Sequence, residues 1–192
     1  MPERASPFGE RLAAGAGGGT APPGVTLAWL NPAAFVELLE LPGVPSAQLS
    51  DTLAALAPGA ASLALGATVD HAGYTVGRIA PRRLVVIGAT PLLAGLEGGF
   101  VIVDDSHARA GVRVAGAAAD VLGKGLSLDL SERGFAVGGI AAVRGFGLAL
   151  TLVRRAGDTF DVYCARSFAA SLLDGLADAA LEAGWRSGTV LN

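Results

Sequence analysis

The chain has 192 residues, enough for one well-filled core or for two small subdomains sharing one. Hydrophobic residues make up 52% and charged residues 16%, against roughly 25% charged in an average soluble domain, so apolar surface outruns the ionic groups able to cover it and a lasting partner is expected. A net charge of −3, one cysteine and two histidines argue against a nucleic-acid-binding stripe, an internal disulfide and a clustered metal site.

Residues 1–24 carry Gly15, Gly17, Gly18, Gly19, Pro22 and Pro23 with little periodicity, the composition of a flexible N-terminal arm. Glu3 and Glu10 with no apolar stretch between them give neither a secretory signal nor a membrane anchor, so a cytoplasmic location is expected. Residues 25–192 read as a single domain, or as two subdomains meeting near 100–105. A strand is expected over 25–30, broken by Asn31-Pro32, and a helical turn over 33–39 before Pro42-Gly43. Ser46 or Ser50-Asp51 opens a helix that Pro58-Gly59 ends. Short runs at 62–66, 74–79 and 83–87, rich in β-branched and aromatic residues, read as antiparallel strands. The apolar run 84–103 is interrupted by Pro91, Gly95, Glu97, Gly98 and Gly99, so it is strand, turn, strand and no membrane span.

The C-terminal half alternates more clearly. Strands are expected at 111–115, 137–143, 148–154 and 160–163, with helices at 117–124 and 167–183. In 148–154, Leu148, Leu150 and Leu152 take one face and Ala149, Thr151 and Val153 the other. Both faces are apolar, so this strand is expected to be central, and Gly157-Asp158 turns it into the next. The pattern gives an α+β fold, antiparallel sheets with helices packed on one face. On the last helix Phe168, Leu172, Leu176 and Ala180 share a side, Leu173 and Leu181 widen the arc, and Asp174, Asp178 and Glu182 lie opposite. That arc exceeds the roughly 100° stripe one sheet requires. Its edge at Leu173 and Leu181 either meets a second subunit or wedges against the terminal tail.

Three passages, DDSHARAGVRVAG at 104–116, AAADVLGKGLSLDL at 117–130 and FDVYCARSFAASLLDGL at 160–176, resemble the gamma subunit of heterotetrameric sarcosine oxidase. That family is related to the folate-dependent aminomethyltransferases. The third passage is the most specific, although Ala165 stands where the family usually has proline. The resemblance implies an aminomethyltransferase folate-binding-domain-like fold and membership in a cytoplasmic bacterial enzyme. That enzyme demethylates sarcosine oxidatively, releasing glycine and hydrogen peroxide and, with tetrahydrofolate, methylenetetrahydrofolate. It implies alpha, beta and delta subunits as partners, with no nucleic acid and no membrane. FAD, FMN, NAD and tetrahydrofolate belong to the parent complex, and this chain alone is expected to bind none of them. Aminomethyltransferases are about twice as long, and the sequence after the last helix is too short for the further domain that completes their folate site. The alternative is a freestanding folate-binding regulatory protein of the same fold, and a third reading is a relic that folds without a partner.

No residue is assigned as catalytic or metal-binding. Asp105, Ser106, His107 and Arg109 form the first candidate corner. Adjacent residues of an extended chain point to opposite faces, so Ser106 and His107 do not make a nucleophile-base pair; a turn in which Asp105 or Ser106 accepts a backbone N–H is expected instead. Arg166, Ser167 and Phe168 form the second. With Ser167 as N-cap, Arg166 sits at the positive end of the helix dipole and calls for an anion, either Asp161 or a partner's carboxylate. Cys164 reads as a small buried hydrophobe. Gly15–Thr20 follows no strand, and Gly123-Lys124-Gly125 lacks the Walker pattern at Ala118 and Gly125, so neither is a phosphate loop.

Overall fold

A computed structural model describes residues 6–8, 12, 15–18, 23–32, 34–89, 95–96 and 98–188. In chain order these form β1 (Ala16–Gly17), β2 (Val25–Leu30), β3 (Ala34–Glu40), α1 (Ser46–Leu56), β4 (Thr68–His71), β5 (Tyr74–Ala80), β6 (Arg83–Gly88) and β7 (Phe100–Asp104). They continue with β8 (Arg109–Gly116), α2 (Ala118–Gly123), β9 (Ile140–Gly145), β10 (Leu148–Ala156), β11 (Thr159–Ala165), α3 (Ala169–Ala179) and β12 (Trp185–Ser187). Short 3₁₀ turns occupy Ala60–Ser62 and Arg166–Phe168. The fold is α+β, as the alternating pattern requires.

The chain divides into two units, Met1–Asn31 with Ala108–Val137 and Ala142–Leu191, and Pro32–His107 with Gly138–Ala141. The chain passes between the units at Asn31–Pro32, His107–Ala108, Val137–Gly138 and Ala141–Ala142. In the first unit the sheet runs β1-β12-β2-β8-β11-β10-β9, antiparallel except for the parallel pair β12–β2. Alternation along its strands builds an apolar face. Val112 lies opposite Trp29 and Val162, Val114 opposite Leu27 and Phe160, and Leu152 opposite Val162. Against this face pack the helices, α3 lying on β8 and β11 beside α2. Residues Ala169, Leu172, Leu173, Leu176 and Ala179 of α3 are all buried, at the spacing that puts them on one side of a helix. The strand at 148–154 is indeed interior, paired on both sides, and it is buried from Leu150 to Arg154.

The second unit has an antiparallel sheet in the order β4-β5-β6-β3-β7. Its core joins Val36, Leu38, Val76, Leu84 and Val86 to Leu53 and Leu56 of α1. The Tyr74 hydroxyl donates to the Leu56 carbonyl at 2.5 Å, which holds the end of α1 on β5. The 138–141 segment joins this unit through Ile140 N–H to Gly66 O (2.9 Å) and Thr68 Oγ1–H to Gly138 O (2.8 Å).

Several elements differ from the sequence reading. Of the segment 33–39, expected as a helical turn, residues 34–39 lie in strand β3 and residue 33 lies outside the described residues: Val36 and Leu38 enter the core from one face, and pairing with both β6 and β7 fixes the extended backbone. The strand expected at 62–66 is displaced to β4, because Ala60–Ser62 forms a 3₁₀ turn and Gly66 takes φ +81°. Gly138 (φ +79°) likewise delays the strand expected at 137 until Ile140. The last helix runs 169–179 and not 167–183: Arg166–Phe168 turns more tightly, Phe168 holds the N-cap position, and Ser167 makes no capping bond. Within 1–24, Phe8 and Leu12 are buried, and β1 pairs Ala16 with Arg186 and Gly17 with Trp185. The described part of that segment thus contacts its own chain.

Candidate functional site

The Asp-x-Ser-His corner closes the second unit's β7. Ser106 is buried, and its hydroxyl oxygen accepts the Phe35 N–H at 2.9 Å. The Ser106 N–H donates to Asp104 Oδ1 at 2.9 Å, and Asp105 N–H to Phe35 O at 3.0 Å. Within the turn the acceptor is Asp104, where Asp105 or Ser106 was expected; Ser106 accepts instead from an amide on β3, 71 residues away. His107 is exposed. A hydroxyl committed to a backbone amide on a neighbouring strand is a fastener and offers no activated nucleophile.

In the first unit a charged cluster stands on the sheet face opposite to Val112 and Val162. Cross-strand register sets Arg113 on β8 directly opposite Asp161 on β11. Arg113 donates from Nε to Asp161 Oδ1 (2.6 Å) and from a terminal nitrogen to Oδ2 (2.9 Å). Arg155, at the end of β10, donates from Nε to Oδ2 at 2.6 Å. The Asp161 side chain is 1% exposed, those of Arg113 and Arg155 32% and 22%. Its hydrogen bond to Asp161 raises the Arg113 pKa. Burial acts to lower that of Arg155, and the Asp161 charge and hydrogen bond overcome it and raise it. Tyr163 completes the group: burial first, then the Asp161 charge, push its phenol well above the ordinary value. Opposite Tyr163 stands Gly111, where a Cβ would lie 2.6 Å from the tyrosine ring. Glycine there lets the ring lie flat on the neighbouring strand.

Sequence reading named only Asp161 of this cluster and paired it with Arg166. That pairing does not form: both Asp161 oxygens are held by Arg113 and Arg155. Arg166 lies five residues further along the chain at the strand end, about 16 Å away at the extended rise per residue. The signal that was available is parity. Arg113 sits at the centre of the apolar run GVRVAG and Asp161 inside FDVY, two interior charges that need each other once the strands are adjacent.

Arg109 and Arg166 do come together at one end of the sheet. Arg109 is registered opposite Ala165, and the Arg166 N–H donates to Ala108 O at 2.7 Å. Leu173 is only 3% exposed and lies in the chain's own core, so it is no outward edge. Phe168 and Leu181 are about half exposed but flank opposite ends of α3, and Ser171, Asp174 and Asp178 between them face solvent. Helix α3 therefore presents no continuous apolar stripe outward. Cys164 is fully buried, and burial pushes its thiol up to about 11, against the opposing charge of Arg109.

A buried cation went unnoticed in the sequence. Arg154, 4% exposed, lies over the Phe160 ring at 5.1 Å, and Phe160 stacks on Phe135. Its guanidinium donates to the carbonyls of Leu130 (3.0 Å), Phe135 (2.6 Å), Ala156 (3.3 Å) and Gly157 (2.6 Å). Such a guanidinium clamps the 130–135 loop to the sheet without needing a carboxylate.

The buried carboxylates among the described residues, Glu37 and Asp161, are both engaged by arginines, Glu37 by Arg83 and Asp161 as above. No group of three or more metal-ligating side chains occurs among the described residues, and no described helix is long and apolar enough to cross a membrane. The site is an ion cluster that carries one net positive charge and whose carboxylate has both oxygens hydrogen-bonded to arginines.

The fold is that of a subunit-sized, aminomethyltransferase-like domain. It is similar to a chain of heterotetrameric sarcosine oxidase from Corynebacterium sp. U-96, solved with pyrrole 2-carboxylate: TM-score 0.75, 24% identity, covering 92% of this chain and 94% of that one. It is also similar to the glycine cleavage system aminomethyltransferase T from Bartonella henselae, with TM-score 0.56 and 16% identity. That match covers 85% of this chain and 48% of the other, so the chain spans about half of the transferase's length. The sequence matches no protein-family model and no curated protein.

Proposed function

We propose that this chain is the gamma subunit of a heterotetrameric sarcosine oxidase, a docking subunit with no chemistry of its own, set beside alpha, beta and delta chains that carry FAD, FMN, NAD and the tetrahydrofolate site. The observation that carries the reading is the nearly end-to-end correspondence with one chain of such an enzyme, against half-length correspondence with a transferase. The exposed apolar side chains Val101, Val103, Phe168 and Leu181 are consistent with a chain that works inside an assembly. A cytoplasmic location belongs to the same reading.

Co-expression with the genes beside its own, followed by size-exclusion chromatography and a sarcosine-dependent peroxide assay, tests it. The chain is expected to elute with flavin-bearing subunits in a complex that makes peroxide from sarcosine, and to bind no folate when alone. Tight tetrahydrofolate binding by the isolated chain, with no flavin-bearing partner, would replace this reading with a freestanding folate-binding regulator.

A further inference from the structure

The second unit holds a cavity of about 330 Å³ against one side of α1. Its walls are the helix, through Thr52, Ala55 and Leu56, the β4–β5 hairpin, through His71 and Tyr74, and Leu96 of the segment before β7. The hairpin turn brings two rings there: Ala72 (φ +48°) and Gly73 (φ +84°) reverse the chain in two residues, so His71 is paired directly opposite Tyr74. The rings meet edge to face, with centroids 5.7 Å apart and planes at 85°. Leu56, Tyr74 and Leu96 belong to the unit's core and give the cavity a fixed floor, while Ala55 and His71 are exposed and mark its mouth.

Of the three polar side chains in the wall, two have their protons committed. The Thr52 hydroxyl donates to the Gln48 carbonyl at 2.7 Å, and the Tyr74 hydroxyl to the Leu56 carbonyl at 2.5 Å. The His71 imidazole makes no hydrogen bond among the described residues, and it can donate from one nitrogen and accept at the other. No aspartate, glutamate, lysine or arginine lines the cavity, and the chain neighbours of Thr52 and His71 include Asp51 and Asp70, so an anion finds no counter-charge there. Size sets the last limit: ligand cavities run from about 300 to 1,000 Å³, and one at the lower end takes a single ring and not a nucleotide or a flavin.

We propose that this cavity binds a small uncharged aromatic molecule bearing one hydrogen-bonding group, of which phenol is the simplest probe. The perpendicular rings of His71 and Tyr74 let a flat ligand stack on one and meet the edge of the other, a fit that an aliphatic chain does not exploit. The aliphatic side chains of Leu56 and Leu96 cover the rest of the ring, and the ligand's polar group bonds to the imidazole. The site lies wholly within one unit and needs no second chain, so it stands apart from the docking reading above.

Phenol and toluene, two probes of one shape that differ by the hydroxyl, test it on the full chain by amide-resolved NMR titration. Phenol is expected to bind with millimolar or better affinity, as a fragment-sized ligand does, and to move the amides of Thr52, Leu56, Tyr74 and Leu96. His71→Phe keeps the ring wall and removes the nitrogens, so the ratio of phenol to toluene affinity is expected to fall by about fivefold to tenfold. Ala55→Leu fills the mouth from an exposed helical position and is expected to weaken both probes by about tenfold or more at an unchanged melting temperature. Still amides at those positions in millimolar phenol overturn the proposal, as does an unchanged ratio in His71→Phe or undiminished binding to Ala55→Leu. Release of bound phenol when flavin-bearing subunits are added makes a partner's side chain the occupant and overturns the small-molecule reading. Should Ala55→Leu not fold, the ratio in His71→Phe decides.

Discussion

Arg113 and Asp161 face each other across two central strands and share two hydrogen bonds, at 2.6 and 2.9 Å, on a side chain only 1% exposed to water. Removing the charge of Asp161 leaves Arg113 and Arg155 side by side without an anion. Asp161→Asn is therefore expected to cost about 3 to 5 kcal/mol in urea unfolding. Replacing all three residues together, Arg113→Met, Asp161→Leu and Arg155→Met, is expected to recover most of that loss, since an apolar trio removes the desolvation cost with the attraction.

Leu173→Glu is expected to unfold the isolated chain, because it places a carboxylate where α3 meets its own sheet. Phe168→Glu and Leu181→Glu, both at half-exposed positions, are expected to leave far-ultraviolet circular dichroism and melting temperature unchanged. This reverses the expectation that Leu173 marks a subunit edge.

Ser106→Ala and His107→Ala separate a fastener from a catalytic pair. The first removes the hydroxyl that the Phe35 N–H donates to and is expected to cost about 1 kcal/mol; the second, at an exposed side chain, is expected to be near neutral. Thermal melts of both variants check this.

Alkaline pH is expected to destabilise the fold. The Cys164 thiol is raised from 9.0 to about 11 in the native state, so between those values the unfolded chain has already lost a proton that the folded chain keeps. Stability that is fully present below pH 9 falls as pH rises toward 11, by about 2 kcal/mol from this thiol. The raised Tyr163 phenol continues the fall above its ordinary value of 10.0. Cys164→Ala is expected to flatten the first part of the slope, measured by urea midpoints from pH 8 to 11.

Gly175→Ala is expected to destabilise α3 although alanine is the better helix former by about 1 kcal/mol. A Cβ there would lie 2.9 Å from the Phe146 ring. Phe146 itself sits at φ +51°, followed by Gly147 at φ +74°, in the two-residue turn joining β9 to β10. Overpacking against so constrained a ring is expected to outweigh the helical gain by about 1 to 2 kcal/mol, read from melting temperature.

The strands that carry the first unit were legible because their alternation is local: in the 148–154 run Leu148, Leu150 and Leu152 make one face apolar while Ala149 and Val153 do so for the other, and a strand with two apolar faces has to be interior. The Asp-x-Ser-His segment was legible as a turn but not in its acceptor: the local bond is accepted by Asp104, two residues before the Ser106 amide, and not by Asp105 or Ser106. Segment 33–39 was not, because its choice between helical turn and strand rested on whether β6 and β7 would lie on either side of it. The ion cluster was half-legible. Asp161 announced a buried charge in need of a cation, but nothing local ranks Arg113, 48 residues away, above Arg166, five residues away.

From its residues alone this chain specified an α+β class and the apolar faces of its central strands, because those follow from side-chain alternation within a few positions. Tertiary structure alone decided which arginines hold Asp161 and that Leu173 belongs to the core. Those outcomes depend on strand order and register, and both are set by burial summed over contacts between segments far apart in the chain.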